Sequence, residues 1–110
     1  MAQSYIVFDF GGNEDSSQQA RFRLDHWRQT FHLTKKLEYK FERKPGEKKS
    51  EADTIGVLIR LDFSDHEKLS HQRWLERIPV EPPFKGVPAK IFRTGDPSYA
   101  ETKKHFDDLN

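Results

Sequence analysis

The sequence contains no cysteine, which excludes disulfides, thiolate metal sites and cysteine nucleophiles. No apolar run approaches the roughly 20 residues that a membrane-spanning helix needs. Nineteen basic residues stand against eighteen acidic ones, so no large positive field exists to attract nucleic acid or anionic lipid. The first residues have neither the basic region nor the apolar core of a signal peptide. We therefore expect a soluble, cytoplasmic protein that does not bind a membrane.

The segment 54–63 is the longest apolar run in a chain of which 34% of the residues are charged. Its alternate positions carry five large apolar side chains, which is typical of a strand with one face on a core: Ile55, Val57, Ile59, Leu61 and Phe63. Its other face is mixed. The segment 4–10 has two largely apolar faces. Both segments are therefore predicted to be central strands of a sheet.

Two further segments have the features of edge strands. The segment 37–41 alternates apolar residues with charged ones, and lysines on an outer face protect an edge strand against unwanted pairing. The segment 87–94 contains Pro88, which cannot donate a backbone hydrogen bond within a sheet. The segment 43–53 contains Pro45 and Gly46 without apolar periodicity, so it is predicted to be a hairpin loop.

Three helices are predicted between and after these strands. The first is capped by Asp15 or Ser16 and runs to about Phe31. Its core stripe consists of Ala20, Leu24, Trp27 and Phe31. The second spans 64–78, with a capping box at its start and a proline after its end. The third is capped by Asp96.

The predicted element order is therefore strand, helix, strand, strand, helix, strand, followed by an additional helix. This order predicts a single α+β domain over residues 1–110, with a ferredoxin-like βαββαβ fold. In that two-layer sandwich a four-stranded antiparallel sheet carries its helices on one face. The two doubly apolar segments occupy its centre, and the two segments with edge features flank them.

This fold leaves the second face of the sheet uncovered, and that face is partly apolar. Five residues on it are candidates for a ligand site or an interface: Tyr5, Asp9, Leu58, Arg60 and Phe92. A partly apolar face on a small protein suggests that something covers it. We expect a second copy of the chain, because homodimers are the commonest oligomers. The C-terminal helix and a small ligand are the alternatives.

Basic residues concentrate in the segment 35–49, where three are candidates for binding phosphate: Lys40, Arg43 and Lys44. Aromatic residues on strands can stack on nucleotide bases, and three are compatible with that role: Phe8, Phe10 and Tyr39. Core packing explains the same rings. We therefore favour a core role for them and do not expect a nucleic-acid partner.

The sequence contains no motif for a metal, a cofactor or a catalytic nucleophile. The five histidines lack the spacing of four residues that pairs metal ligands on a helix. We expect a self-associating, homodimeric binding or assembly module. The first alternative is a small-molecule binder or enzyme with its pocket at the sheet face. The second is a nucleic-acid binder or metal-dependent nuclease, in which Asp9 meets its symmetry mate at a metal ion.

Overall fold

The computed structural model describes residues 2–44 and 54–109. These residues form a mixed α+β structure with one four-stranded antiparallel sheet and three α-helices. The elements follow one another as β1 (Ala2–Asp9), α1 (Glu14–Thr30), β2 (Leu37–Lys44), β3 (Thr54–Phe63), α2 (Lys68–Arg77), β4 (Ala89–Arg93) and α3 (Tyr99–Asp108). None of these helices is long and apolar enough to cross a membrane.

The strands lie in the order β2-β3-β1-β4, and every neighbouring pair is antiparallel. The prediction that 4–10 and 54–63 form the central strands is confirmed, and β3 has the predicted bounds. In the register of the sheet, Val7 on β1 lies opposite Leu58 on β3 and Lys90 on β4. Arg43 and the Lys44 backbone extend β2, and the rest of the predicted hairpin loop lies outside the described residues.

One face of the sheet packs against α1 and α2. The core between them is rich in aromatic rings because the sequence has few aliphatic residues to fill it. Trp27 from α1 and Trp74 from α2 meet edge to face, with their ring centroids 5.4 Å apart. Phe84, from the connection before β4, is fully buried, and its ring centroid lies 4.7 Å from that of Phe8.

The other face of the sheet carries α3. Phe106 is 1% exposed and packs in a second, smaller core with Tyr5 and Leu58. The C-terminal helix of the same chain thus covers part of this face. From the sequence alone we expect a second subunit there first, and this helix as an alternative.

The first helix starts earlier than predicted, and one residue of its predicted core stripe is exposed. Its N-cap is Asn13, whose side chain accepts a hydrogen bond from the backbone N of Ser16 at 3.0 Å, so the predicted cap at Asp15 or Ser16 is wrong. The helix ends at Thr30. Ala20, Leu24 and Trp27 form the buried stripe as predicted, whereas Phe31 lies beyond the last turn and is 44% exposed.

The starts of the other two helices also differ from prediction. The predicted capping box is present, because Glu67 accepts hydrogen bonds from Ser64 N and Ser64 Oγ at 3.2 and 2.8 Å. It begins a short 3-10 turn, however, and α2 itself starts only after that turn. Asp96 does not cap α3. Its carboxylate instead accepts from Arg93 N at 2.6 Å and closes the turn after β4, so that α3 begins at Tyr99.

Candidate functional site

The structure brings four of the five predicted site residues together beneath α3. Tyr5, Leu58, Arg60 and Phe92 surround Phe106, which reaches the sheet from above. The Tyr5 and Phe106 ring centroids are 5.5 Å apart, and the Arg60 guanidinium lies 4.8 Å from the centre of the Phe106 ring. This arrangement makes the four residues the docking site of α3.

Arg60 links this small core to charged groups at its margin. Its guanidinium forms ion pairs with Glu38 on β2 and, at 3.3 Å, with Asp107 on α3. Burial raises the pKa of Tyr5, while the neighbouring Arg60 charge opposes that shift. Tyr5 is therefore a neutral phenol at physiological pH.

Polar contacts hold α3 along its length. The Lys40 ammonium donates to the backbone oxygens of Phe106 and Leu109, at 2.7 and 2.6 Å. These carbonyls lie at the C-terminal end of the helix, where that of Phe106 also accepts from Leu109 N at 3.2 Å, and a positive charge there is favourable to the helix dipole. His105 contacts Glu42 with 2.8 Å between Nε2 and Oε2. The charge of Lys40 therefore caps a helix.

The predicted phosphate-binding residues do not converge. Lys40 faces α3, whereas Arg43 is three residues further along β2 and faces α1, where its guanidinium lies 2.7 Å from the Glu14 carboxylate. Residues an odd number apart on a strand point to opposite faces, which separates this pair. The Lys44 side chain lies outside the described part of the structure. Lys40 and Arg43 therefore lie on opposite faces of the sheet, and the phosphate-binding role of these residues stays a prediction.

The fifth predicted site residue, Asp9, lies in a different place. It lines a groove at the corner of the sheet that α3 leaves uncovered. This sheet groove has a volume of about 310 Å³ and is lined by Val7, Phe8, Asp9, Glu42, Thr54, Gly56, Leu58, Pro88, Ala89 and Lys90. The Asp9 carboxylate accepts a hydrogen bond from Gly11 N at 2.9 Å, which holds it at the end of β1.

The chemistry of the sheet groove follows from the register of three strands. Val7 and Leu58 lie opposite each other and supply an apolar floor. Asp9 lies opposite Gly56, which has no side chain to occupy the space above it. Lys90 lies across from Val7 on the edge strand and is exposed. Within residues 2–44 and 54–109, Lys90 takes part in no ion pair. The groove thus combines an apolar floor with groups of both charges.

Gly56, Lys90 and Glu42 were missed as site residues. The sequence identifies Gly56 only as a glycine within a strand, which in general marks a close approach or an open space. Lys90 could have been found from the alternation of β4, because it shares its sheet face with Phe92. Glu42 has the same parity as Lys40 on β2 and so lies on the α3 side.

The aromatic residues considered for base stacking lie on the helix side of the sheet. Phe8 and Phe10 are buried in the main core. Tyr39 donates a hydrogen bond to Asp25 of α1 at 2.6 Å, and burial together with this carboxylate raises the pKa of Tyr39 to about 12. Among the described residues, no group of three His, Asp or Glu side chains is close enough to hold a metal ion.

No protein-family model matches this chain, and no curated protein has a similar sequence. The chemistry of the sheet groove and of the surfaces around it is therefore the basis for a functional conclusion.

Proposed function

We propose that the protein is a small ferredoxin-like binding module, and that the sheet groove is its binding site for a small zwitterionic ligand. The observation that carries the proposal is the combination of Asp9, Glu42 and Lys90 around the apolar floor of Val7 and Leu58. The volume of about 310 Å³ lies at the small end of the range for ligand sites. A ligand the size of an amino acid fits that space.

The ferredoxin-like assignment is supported by the element order and the strand order taken together. Two β-α-β units interleave in one antiparallel sheet, with α1 and α2 on the same face. In this assignment α3 is an addition to the common plan. Its docking leaves a corner of the second face open, and the sheet groove lies in that corner. The cytoplasmic location stays a prediction from the absence of cysteine, and cell fractionation would test it.

The proposed ligand carries three groups, each matched to one part of the groove. A cationic group pairs with the carboxylate of Asp9, and an anionic group pairs with the ammonium of Lys90. A short apolar chain covers Val7 and Leu58, whose burial adds roughly 25 cal/mol for each Å² removed from water. Each group contributes to the affinity, so removal of any one of them should weaken binding.

A titration with L-leucine and two analogues tests this proposal. We expect the amide NMR signals of Val7, Gly56 and Lys90 to shift and saturate, with a dissociation constant on the order of 1 mM. 3-Methylbutylamine lacks the carboxylate and 4-methylpentanoate lacks the amine, so each should bind about tenfold more weakly. Shifts that do not saturate, or equal binding of all three compounds, would refute the proposal.

Two variants connect the binding to the groove. Lys90→Gln should weaken leucine and 4-methylpentanoate but leave 3-methylbutylamine unchanged, because only the first two carry the anionic group. Lys85→Gln, at an exposed lysine outside the groove, is the matched control. Gly56→Val should abolish binding of all three by filling the groove. A Cβ at Gly56 meets its nearest neighbours at 3.8 Å, an ordinary contact, so the backbone there accepts a side chain, and circular dichroism should confirm that the variant stays folded.

Self-association is a second candidate for the same corner of the sheet. A two-fold interface must be complementary to itself, and a surface with both Asp9 and Lys90 beside apolar residues meets that condition. Light scattering should then report a particle larger than one 13.0 kDa chain. Lys90→Glu should dissociate it, and adding Asp9→Lys should restore it. A single-chain particle at all concentrations would exclude the homodimer and leave leucine binding unaffected.

The nucleic-acid alternative has less support than either of these candidates. Phe8, Phe10 and Tyr39 pack on the helix side, so no stacking platform remains among the residues considered for it. Lys40 and Arg43 are engaged on opposite faces of β2. Failure of the protein to retain a labelled oligonucleotide at low salt would remove this alternative.

A further inference from the structure

A second groove lies in the helix layer, on the side of the molecule away from α3. It has a volume of about 560 Å³ and is called the arginine groove here; its lining is Phe31, Ser70, Arg73, Trp74, Glu76, Arg77 and Val80.

Exposed apolar side chains concentrate around the arginine groove. Phe31 and Val80 line it and are 44% and 63% exposed. Leu69, one helical turn before Arg73 on α2, is 77% exposed. These are three of the five large apolar side chains that are exposed in the described residues. Such clustering, in contrast to scattered single residues, marks an interaction surface.

Aromatic rings hold the Arg77 guanidinium in place within this surface. Its Cζ atom lies 5.0 Å from the Trp74 ring centre, 5.2 Å from Phe31 and 5.8 Å from Trp27. Its ion pair with Glu81 is long, with 3.6 Å between Nε and Oε1. A guanidinium stacked on rings keeps donors at its edges, and it loses little conformational freedom when it binds a carboxylate.

Arg73 extends the positive character of the groove by one helical turn. It is exposed, and in the described part of the chain it forms no ion pair. Glu76, which accepts a hydrogen bond from Gln72 at 3.0 Å, is the single acidic side chain in the lining. A strip of two arginines beside apolar residues is complementary to a partner that carries carboxylates on one side and apolar residues on the other.

We propose that the arginine groove docks an acidic amphipathic helix of a partner protein. The surface from Leu69 to Val80 follows α2 and the 3-10 turn Ile78–Val80 after it. It extends over about 16 Å, which matches roughly three turns of a docked helix. Apolar side chains of that helix contact Phe31, Leu69 and Val80. Its aspartates or glutamates pair with Arg73 and Arg77.

The geometry favours a protein partner over a nucleic acid. Trp74 is 8% exposed, so its face is not available to a base. Glu76 lies between the two arginines in sequence and would repel a phosphate backbone. The aliphatic side chains of Leu69 and Val80 match apolar side chains better than ribose or phosphate.

The proposal can be tested by selecting binders from a display library of random peptides. Each peptide is about 16 residues long, which allows four helical turns. We expect enriched sequences with apolar residues three and four apart and with Asp or Glu between them. A synthetic enriched peptide should change the tryptophan fluorescence, because Trp74 lines the groove. Enrichment without acidic residues, or no enrichment, would overturn the proposal.

Variants locate the binding on the full chain. Arg73→Glu should weaken the enriched peptide about tenfold or more, since it replaces an attraction by a repulsion. Val80→Ser should also weaken it. Lys104→Glu, an exposed charge reversal on α3, should have no effect and is the matched control. Arg77 is not varied, because its packing on three rings makes its loss a folding defect. Equal binding by parent and Arg73→Glu, or displacement of the peptide by an oligothymidine, would refute a groove for an acidic helix.

Discussion

Replacement of Phe106 by alanine should detach α3 from the sheet while the rest of the protein stays folded. The Phe106 ring contacts Tyr5, and the charged groups of Lys40 and Arg60 lie 4.7 and 4.8 Å from its centre. Burial of a phenylalanine is worth about 1.5–3 kcal/mol, and each cation contact adds about 0.5–1 kcal/mol. The docking of α3 should therefore weaken by about 2.5–5 kcal/mol.

The remaining contacts cannot compensate for this loss. The helix has 10 residues, and an isolated helix of that length is marginal in water. Its other apolar contact within the helix is made by Tyr99, which is only partly buried and whose ring centroid lies 5.5 Å from that of Tyr5. The remaining attachments are ion pairs and hydrogen bonds at the margin, which contribute little each. Because the main core lies on the opposite face of the sheet, it does not depend on Phe106. The variant should lose α3 by local unfolding.

Hydrogen exchange measured by mass spectrometry distinguishes local from global loss. We expect exchange in the segment 99–108 to accelerate about 60-fold or more in Phe106→Ala, since every 1.4 kcal/mol is a factor of ten. Exchange in β1 and β3 should change far less. Glu101→Ala, on the exposed side of the same helix, is the control. Unchanged exchange in α3, or an equal acceleration in the central strands, would refute the reasoning.

Three further predictions concern stability. Phe84→Ala should lower the free energy of unfolding by about 3–5 kcal/mol in urea titrations, because its ring is fully buried in the main core. Tyr39 has a pKa raised to about 12 by burial and by Asp25, above the value of about 10 for an unfolded tyrosine. Its stabilisation is therefore present below pH 10 and is lost as the pH rises toward 12, so Tyr39→Phe should lose less stability over that range. Glu67 has a pKa lowered from 4.5 to about 2, mainly by Lys36. Its stabilisation is present above pH 4.5 and is lost as the pH falls toward 2, so Glu67→Gln should show a shallower acid unfolding curve.

Each of these predictions has a matched control. Phe22→Ala removes a ring that is 69% exposed and should change the unfolding free energy by no more than about 0.5 kcal/mol. If it costs as much as Phe84→Ala, burial does not explain the difference. Absorbance of the phenolate should show a tyrosine that titrates near pH 12 and disappears in Tyr39→Phe. In acid unfolding, Glu101→Gln should follow the curve of the parent protein. A Glu67→Gln curve identical to the parent curve would contradict the ion pair between Glu67 and Lys36.

The central strands could be predicted from the sequence because a strand that is buried on both faces carries apolar residues at most of its positions. β3 has no proline, and its alternation is uninterrupted, so even its ends were predictable. The start of α1 was not, because Asn13, Asp15 and Ser16 all belong to residue types that cap helices. Gly11, with φ of 59°, turns the chain so that Asn13 is the residue that meets the first turn.

The candidate site was only partly predictable for a different reason. Periodicity shows that α3 has an apolar side, but it does not show which surface that side covers. The deciding contact, from Lys40 to the backbone oxygen of Phe106, joins residues 66 positions apart in the chain. The Phe106 ring of α3 covers Tyr5 and Arg60, whereas Gly56 and Lys90 line the sheet groove. No local pattern in the sequence encodes which part of the face the helix covers.

The attachment of α3 has a consequence for the order in which the protein is assembled during synthesis. Its partners lie on β1, β2 and β3, which all leave the ribosome before it does. The sheet and its two-helix layer can therefore form first, with Tyr5 and Leu58 still in contact with water. Closure of the second face must wait for the emergence of Phe106. During that interval a nascent chain should offer chaperones a transient apolar surface that the finished protein hides, and crosslinking to stalled chains of different lengths would detect it.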